Sequence, residues 1–114
     1  MSTPLYERHT VVSRPGTPTL SAGEIETLLQ QVPGWEVVEQ DGHLTLTRTL
    51  VFKGFMPGVE LVNKIAGIAE AEAHHPDLHL HYGSLRVESW THAAGGLTDN
   101  DFILAAKIDQ LGPT

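Results

Sequence analysis

Apolar positions along the chain follow two regimes, helical spacing and two-residue alternation, and the order of the switches between them predicts the fold. Ile25, Leu28, Leu29 and Val32 recur every three or four residues. Ser21 and Glu24 stand before them at capping-box spacing, where each side chain satisfies a backbone N–H at a helix start. Pro33-Gly34 stops this first helix. Two strands, Trp35 to Glu39 and His43 to Leu50, then flank Asp41-Gly42, a pair that tolerates positive φ and marks a hairpin. In the second strand Leu44, Leu46 and Leu50 share one face, and Thr45, Thr47 and Thr49 share the other, which is expected to be wet or to meet a partner.

Helical spacing returns from Phe55 to about His74. Phe55, Val59, Val62, Ala66 and Ala69 form one row, and Leu61, Ile65 and Ile68 widen it. This is expected to be the main core helix, with Pro57 in its first turn and Pro76 ending it. Leu78, Leu80 and Tyr82 then alternate with His79 and His81, Gly83-Ser84 is expected to turn the chain, and Leu85 to His92 to return. Thr98 can cap a last helix that carries Phe102, Leu104, Ala105, Ile108 and Leu111 and closes at Gly112-Pro113. The order α-β-β-α-β-β-α predicts a two-layer α+β fold, a four-stranded antiparallel sheet with its helices on one face. Residues 1–19 hold no apolar period and are expected to form a flexible arm or loosely docked tail. Residues 20–114 are expected to form a single domain.

Composition narrows the function classes. A chain of 114 residues can bury one core without staples. Its 7 basic and 14 acidic side chains give a net charge of −7, which argues against gripping nucleic-acid phosphates or an anionic membrane surface. The absence of cysteine excludes disulfides, thiolate metal sites and a thiol nucleophile. No apolar run is long enough to span a bilayer, so a soluble cytoplasmic protein is expected.

The candidate chemistry lies in the histidines, five of which (His74, His75, His79, His81 and His92) fall within nineteen residues. Glu70 and His74, four apart on one helix, are expected to share a face. Adjacent imidazoles at a helix end suit acid–base work near neutral pH, although a polar cap is the plainer local reading of His74-His75-Pro76. His79-x-His81, with His74 or His92, has spacing a zinc ion accepts. On a wet sheet face these two are expected to be solvated strand residues, and no metal is expected. A capping role three residues after Thr98 accounts for Asp101, and a core or interface role for Trp35.

Taken together, Glu70-x-x-x-His74-His75-Pro76, followed at set spacings by Tyr82, His92 and Asp101, resembles the signature of the pterin-4a-carbinolamine dehydratase family. The resemblance runs from Leu20-Ser21-Ala22-x-Glu24 through Gly34-Trp35, Phe52-Lys53-x-Phe55, Thr91-His92 and Gly96-Leu97-Thr98 to the last helix. It implies dehydration of 4a-hydroxytetrahydrobiopterin to quinonoid dihydropterin and water, which recycles tetrahydrobiopterin. It further implies no metal or redox cofactor, a homodimer or homotetramer, and an aromatic amino-acid hydroxylase as pathway partner.

Residue by residue, the resemblance places the catalytic histidines at His74, His75 and His92, with Glu70 orienting or polarising His74. Ala73, His74, His75, Trp90, Thr91 and His92 would contact the substrate. His74 and His75 would divide the acid and base roles while His92 places the substrate hydroxyl. Two departures stand out. Ala73 occupies a position that is acidic in many relatives, with Glu72 pointing elsewhere on the helix, and Leu78 and His79 replace common aromatic residues. The alternative function is a non-catalytic protein-binding scaffold, or an assembly or transcription cofactor, of the same fold. Three histidines and Glu70 at catalytic spacing favour the enzyme.

Overall fold

The computed structural model describes residues 3–111. Its main elements are α1 (Ala22–Leu29), β1 (Glu36–Gln40), β2 (His43–Val51), α2 (Met56–Glu72), β3 (Asp77–His81), β4 (Ser84–Ser89) and α3 (Asp99–Asp109). The four strands form one antiparallel sheet in the order β1-β2-β4-β3. This is the expected α+β architecture and element order. Gly112 and Pro113, expected to close the last helix, lie outside the described residues.

Local chemistry explains the element boundaries. Ser21 and Glu24 form a complete capping box at the start of α1, and Thr98 and Asp101 form another at α3. Asp41 and Gly42 both take positive φ, 51° and 83°, so the first hairpin closes with Gln40 opposite His43. The second hairpin turns one residue earlier than expected. His81 pairs with Ser84, which leaves Tyr82-Gly83 as the turn, with Gly83 at φ 82° and Tyr82 79 % exposed. Glycine supplies positive φ at no steric cost there, and this decides the register over the Leu–Leu–Tyr alternation.

Pairing Leu46 with Ser89, Arg48 with Val87 and Leu50 with Leu85 aligns one face of the central strands, and Leu78 and Leu80 extend it. The helices cover this face. Gly58 of α2 sits so close to the sheet that an added Cβ would lie 2.5 Å from Leu80 Cδ1. The buried face of α2 is Gly58, Leu61, Ile65 and Ala69, while Phe55 and Ala66 from the other expected row are exposed. Nor is α2 the most enclosed helix. Phe102, Ile103, Leu104 and Ala105 of α3 are all buried on successive positions, because α3 is covered on more than one side.

One of those covers is the N-terminal segment, expected as an arm or a loosely docked tail. Leu5 is buried in a short 3-10 turn (Leu5–Glu7) packed on α3, and the chain then runs along the end of the helical layer. Trp35 belongs to the core, its indole N–H donating to Asp109 of α3 at 2.9 Å. On the opposite sheet face Thr45 and Thr47 are buried rather than wet, and the Thr47 hydroxyl donates to the Val87 carbonyl across the pair. Among the described residues no helix is long and apolar enough to cross a membrane.

Candidate active site

The end of α2 determines where the histidines go. Ala73 adopts a left-handed conformation (φ 53°, ψ 39°), and its N–H and that of His74 return to carbonyls of the last helical turn. The chain therefore leaves the helix axis before His74, whose imidazole swings beneath the start of α3. There Asp101 Oδ1 accepts from His74 Nε2 at 2.8 Å. Asp101 is completely buried, and the His74 side chain is 11 % exposed.

Three further donors saturate this carboxylate. The Ser89 hydroxyl donates to Oδ1 at 2.7 Å, while the Thr91 hydroxyl at 2.8 Å and the Thr98 N–H at 3.0 Å donate to Oδ2. A carboxylate so held acts as acceptor only. It fixes the proton of His74 on Nε2 and leaves Nδ1 as the nitrogen free for chemistry.

Glu70 serves a different imidazole from the one expected. It pairs with His75 Nε2 at the solvent-exposed rim. The i,i+4 rule that predicted Glu70 beside His74 requires both residues inside the helix, and α2 ends at Glu72. Glu72, expected to point elsewhere on the helix, has a buried side chain turned toward the N-terminal segment.

Beyond β4 the chain forms a bridge between Thr91 and Gly96 that presents His92 at the surface. The His92 ring stacks on the Trp90 indole with centroids 3.8 Å apart, and Trp90 stacks on His43 at 3.6 Å. The three rings form a continuous column, which restricts how His92 turns.

A cavity of about 450 Å³ gathers these parts. Ala73, His74, His75, Trp90, Thr91 and His92, all expected at the substrate, line it, together with Val12, Ser13 and Asn100, which were not expected. Glu70 is not a lining residue and acts only through His75. His79 pairs with Glu88 on the outer face of the sheet. Among the described residues no three His, Asp or Glu side chains converge in a way that would hold a metal ion.

Sequence reasoning missed Asp101 as a site residue because its capping role already explained it. Its two oxygens divide the work, Oδ2 closing the cap and Oδ1 holding His74. The usable signal was its place at the end of the ordered motif set.

Fold and site together set paired imidazoles on a small α+β sandwich, one backed by a buried carboxylate, an arrangement whose chemistry suits proton transfer. The family model for pterin 4 alpha carbinolamine dehydratase matches residues 18–111, and the chain belongs to that family, a family of hydro-lyases. Among similar proteins, a Saccharophagus degradans relative carrying the dehydratase name is 40 % identical over 96 % of each chain. Pterin-4-alpha-carbinolamine dehydratase 2, mitochondrial, of Arabidopsis thaliana is 49 % identical over 75 % of this chain and 46 % of its own length. A crystal structure from Brucella melitensis, titled transcriptional coactivator/pterin dehydratase, superposes with a TM-score of 0.75 at 30 % identity, over 82 % of this chain and 97 % of that one.

Proposed function

We propose that this chain dehydrates 4a-hydroxytetrahydropterins, 4a-hydroxytetrahydrobiopterin among them, to quinonoid dihydropterins by histidine acid–base catalysis. The observation that carries the reading is the buried, four-donor Asp101 behind His74 in a cavity shared with His75 and His92. The reaction breaks the C4a–O bond, forms a C4a=N5 double bond and removes the N5 proton. It needs one proton donor and one acceptor.

His74 takes the base role. Its Nε2–H is held by Asp101, so Nδ1 receives the ring proton, and the carboxylate stabilises the imidazolium as it forms. His75 protonates the departing hydroxyl, which leaves as water. Its side chain is 60 % exposed and paired with Glu70, so it recovers its proton from solvent after each turnover. His92, restrained by the Trp90 stack, places the hydroxyl against His75. The two proton transfers cancel through solvent, and the enzyme returns to its starting state.

A protein-binding scaffold, the role that the coactivator half of the Brucella protein's name gives that protein, places no demand on a saturated carboxylate beneath a pocket histidine. Stopped-flow absorbance with chemically generated 4a-hydroxytetrahydrobiopterin tests the enzymatic reading. Native protein is expected to accelerate quinonoid formation in proportion to its concentration, and a rate equal to that in buffer would overturn it.

A further inference from the structure

The third wall of the histidine cavity comes from a part of the chain that the family model does not reach. That model begins at residue 18, whereas Val12 and Ser13 line the cavity. They belong to a strap, residues 9–13, tied down at two points, with Arg8 just before it held to Asp99 at 3.2 Å. At one, the Thr10 N–H donates to Glu72 Oε1 at 2.8 Å, the Thr10 hydroxyl to the Glu72 carbonyl, and His9 pairs with Oε2. At the other, the Asn100 side chain meets both backbone groups of Val11: Oδ1 accepts from its N–H at 3.0 Å and Nδ2 donates to its carbonyl.

Both anchors adjoin the proton-transfer pair. Glu72 lies two residues before His74, and Asn100 immediately precedes Asp101. A second cavity of about 380 Å³, lined by Arg8, His9, Thr98 and Ile103, lies along the strap's other side and shares Val12, Ser13 and Asn100 with the first. The strap is thus a partition with space on both sides, fixed by its anchors rather than by packing. Val11 and Val12 leave 75 % and 76 % of their surface exposed, so Val12 presents a free apolar face at the cavity.

We propose that Val12 and Ser13 form a specificity wall of the histidine cavity that bears on the non-reacting substituent of the pterin ring, with Asn100 and Glu72 setting the wall's position. This rests on the function proposed above. Neither Val12 nor Ser13 titrates near neutrality, so the wall takes no part in proton transfer. Val12 offers an apolar contact to an alkyl carbon, and the Ser13 hydroxyl can bond a hydroxyl on the substituent. The preferred substrate therefore carries a short hydroxylated alkyl group rather than a bare methyl.

The test compares 4a-hydroxytetrahydrobiopterin, with its dihydroxypropyl chain, against the 6-methyl analogue in native protein, Val12→Ala and Asn100→Ala. Val12 is exposed, so its variant keeps the fold whatever the Asn100 variant does. In Val12→Ala the KM for the longer substrate is expected to rise about five- to tenfold, near the low end for losing an apolar contact, with that for the methyl analogue and both kcat values little changed. Equal KM changes for the two substrates, or none, would overturn the wall. A binding arm reads Trp fluorescence quenching by stable biopterin and 6-methylpterin. If native protein turns over neither substrate, the proposed function fails, and this arm still decides the wall: selective loss of biopterin affinity in Val12→Ala supports it, and unchanged relative affinity or no binding overturns it.

Discussion

Asp101 accepts from Ser89, Thr91, Thr98 and His74, and the last of these bonds ties a structural cap to the proposed chemistry. Asp101→Asn retains an oxygen for the cap but puts an amide where the acceptor for Nε2–H stood, which reverses the favoured tautomer of His74. The variant is expected to stay folded and to lose about 10²- to 10⁴-fold in kcat, the range assigned to one proton-transfer partner. Single-turnover rates alongside circular dichroism check this, and a folded variant at full rate contradicts the role. Glu70→Gln, at an exposed pair, is expected to cost far less. The same residues show what local sequence conveys about a site. The histidines were legible as a cluster because they are adjacent in the chain. The Asp101 partnership spans twenty-seven residues and passes through a tertiary crossing, so no local pattern held it.

The elements were legible where turn chemistry or caps marked them. Asp41-Gly42 and both capping boxes stand where the spacing placed them, because these are local backbone requirements. The buried face of α2 was less legible. Two apolar rows competed, and the buried face follows Leu61 and Ile65 with Gly58, which neither row included, at its start, where only a missing Cβ admits Leu80 and Phe52. Gly58→Ala is therefore expected to destabilise by about 1–3 kcal/mol through overpacking, read from the urea midpoint. Ala73 gives the opposite sign. It holds a left-handed conformation, which disfavours any residue with a Cβ, so Ala73→Gly is expected to stabilise by about 0.5–1 kcal/mol. A lowered midpoint in that variant would mean that the Ala73 methyl packs usefully.

At the scale of the whole molecule, the N-terminal segment is the largest departure from what the chain's patterning suggested. It lacks an apolar period because, among the described residues, it docks through one buried side chain, Leu5, and a set of side-chain bonds that need no periodicity. Leu5→Ala is expected to cost about 2–4 kcal/mol, the range for truncating a buried leucine, whereas a freely mobile arm would show no change in thermal unfolding. The segment also couples stability to pH. Burial pushes the Glu72 carboxyl up, but hydrogen bonds from Thr10 and His9 and the charge of Lys107 outweigh it and hold the group below its ordinary value of 4.5. The unfolded chain then takes up that proton more readily, so this contribution is complete above about pH 5 and fades as the pH falls through the lowered value. The urea midpoint of native protein is expected to fall below pH 4.5, and less steeply in Glu72→Gln.

The central claim is that two imidazoles on this small sandwich, one buried on a carboxylate and one at the rim, divide the proton transfers of a dehydration. Its most direct measurement is the single-turnover rate of carbinolamine loss in native protein, His74→Ala and His75→Ala, with folding checked in each. Both folded variants are predicted to fall by about 10²- to 10⁴-fold. A native rate retained in either would contradict the division of roles.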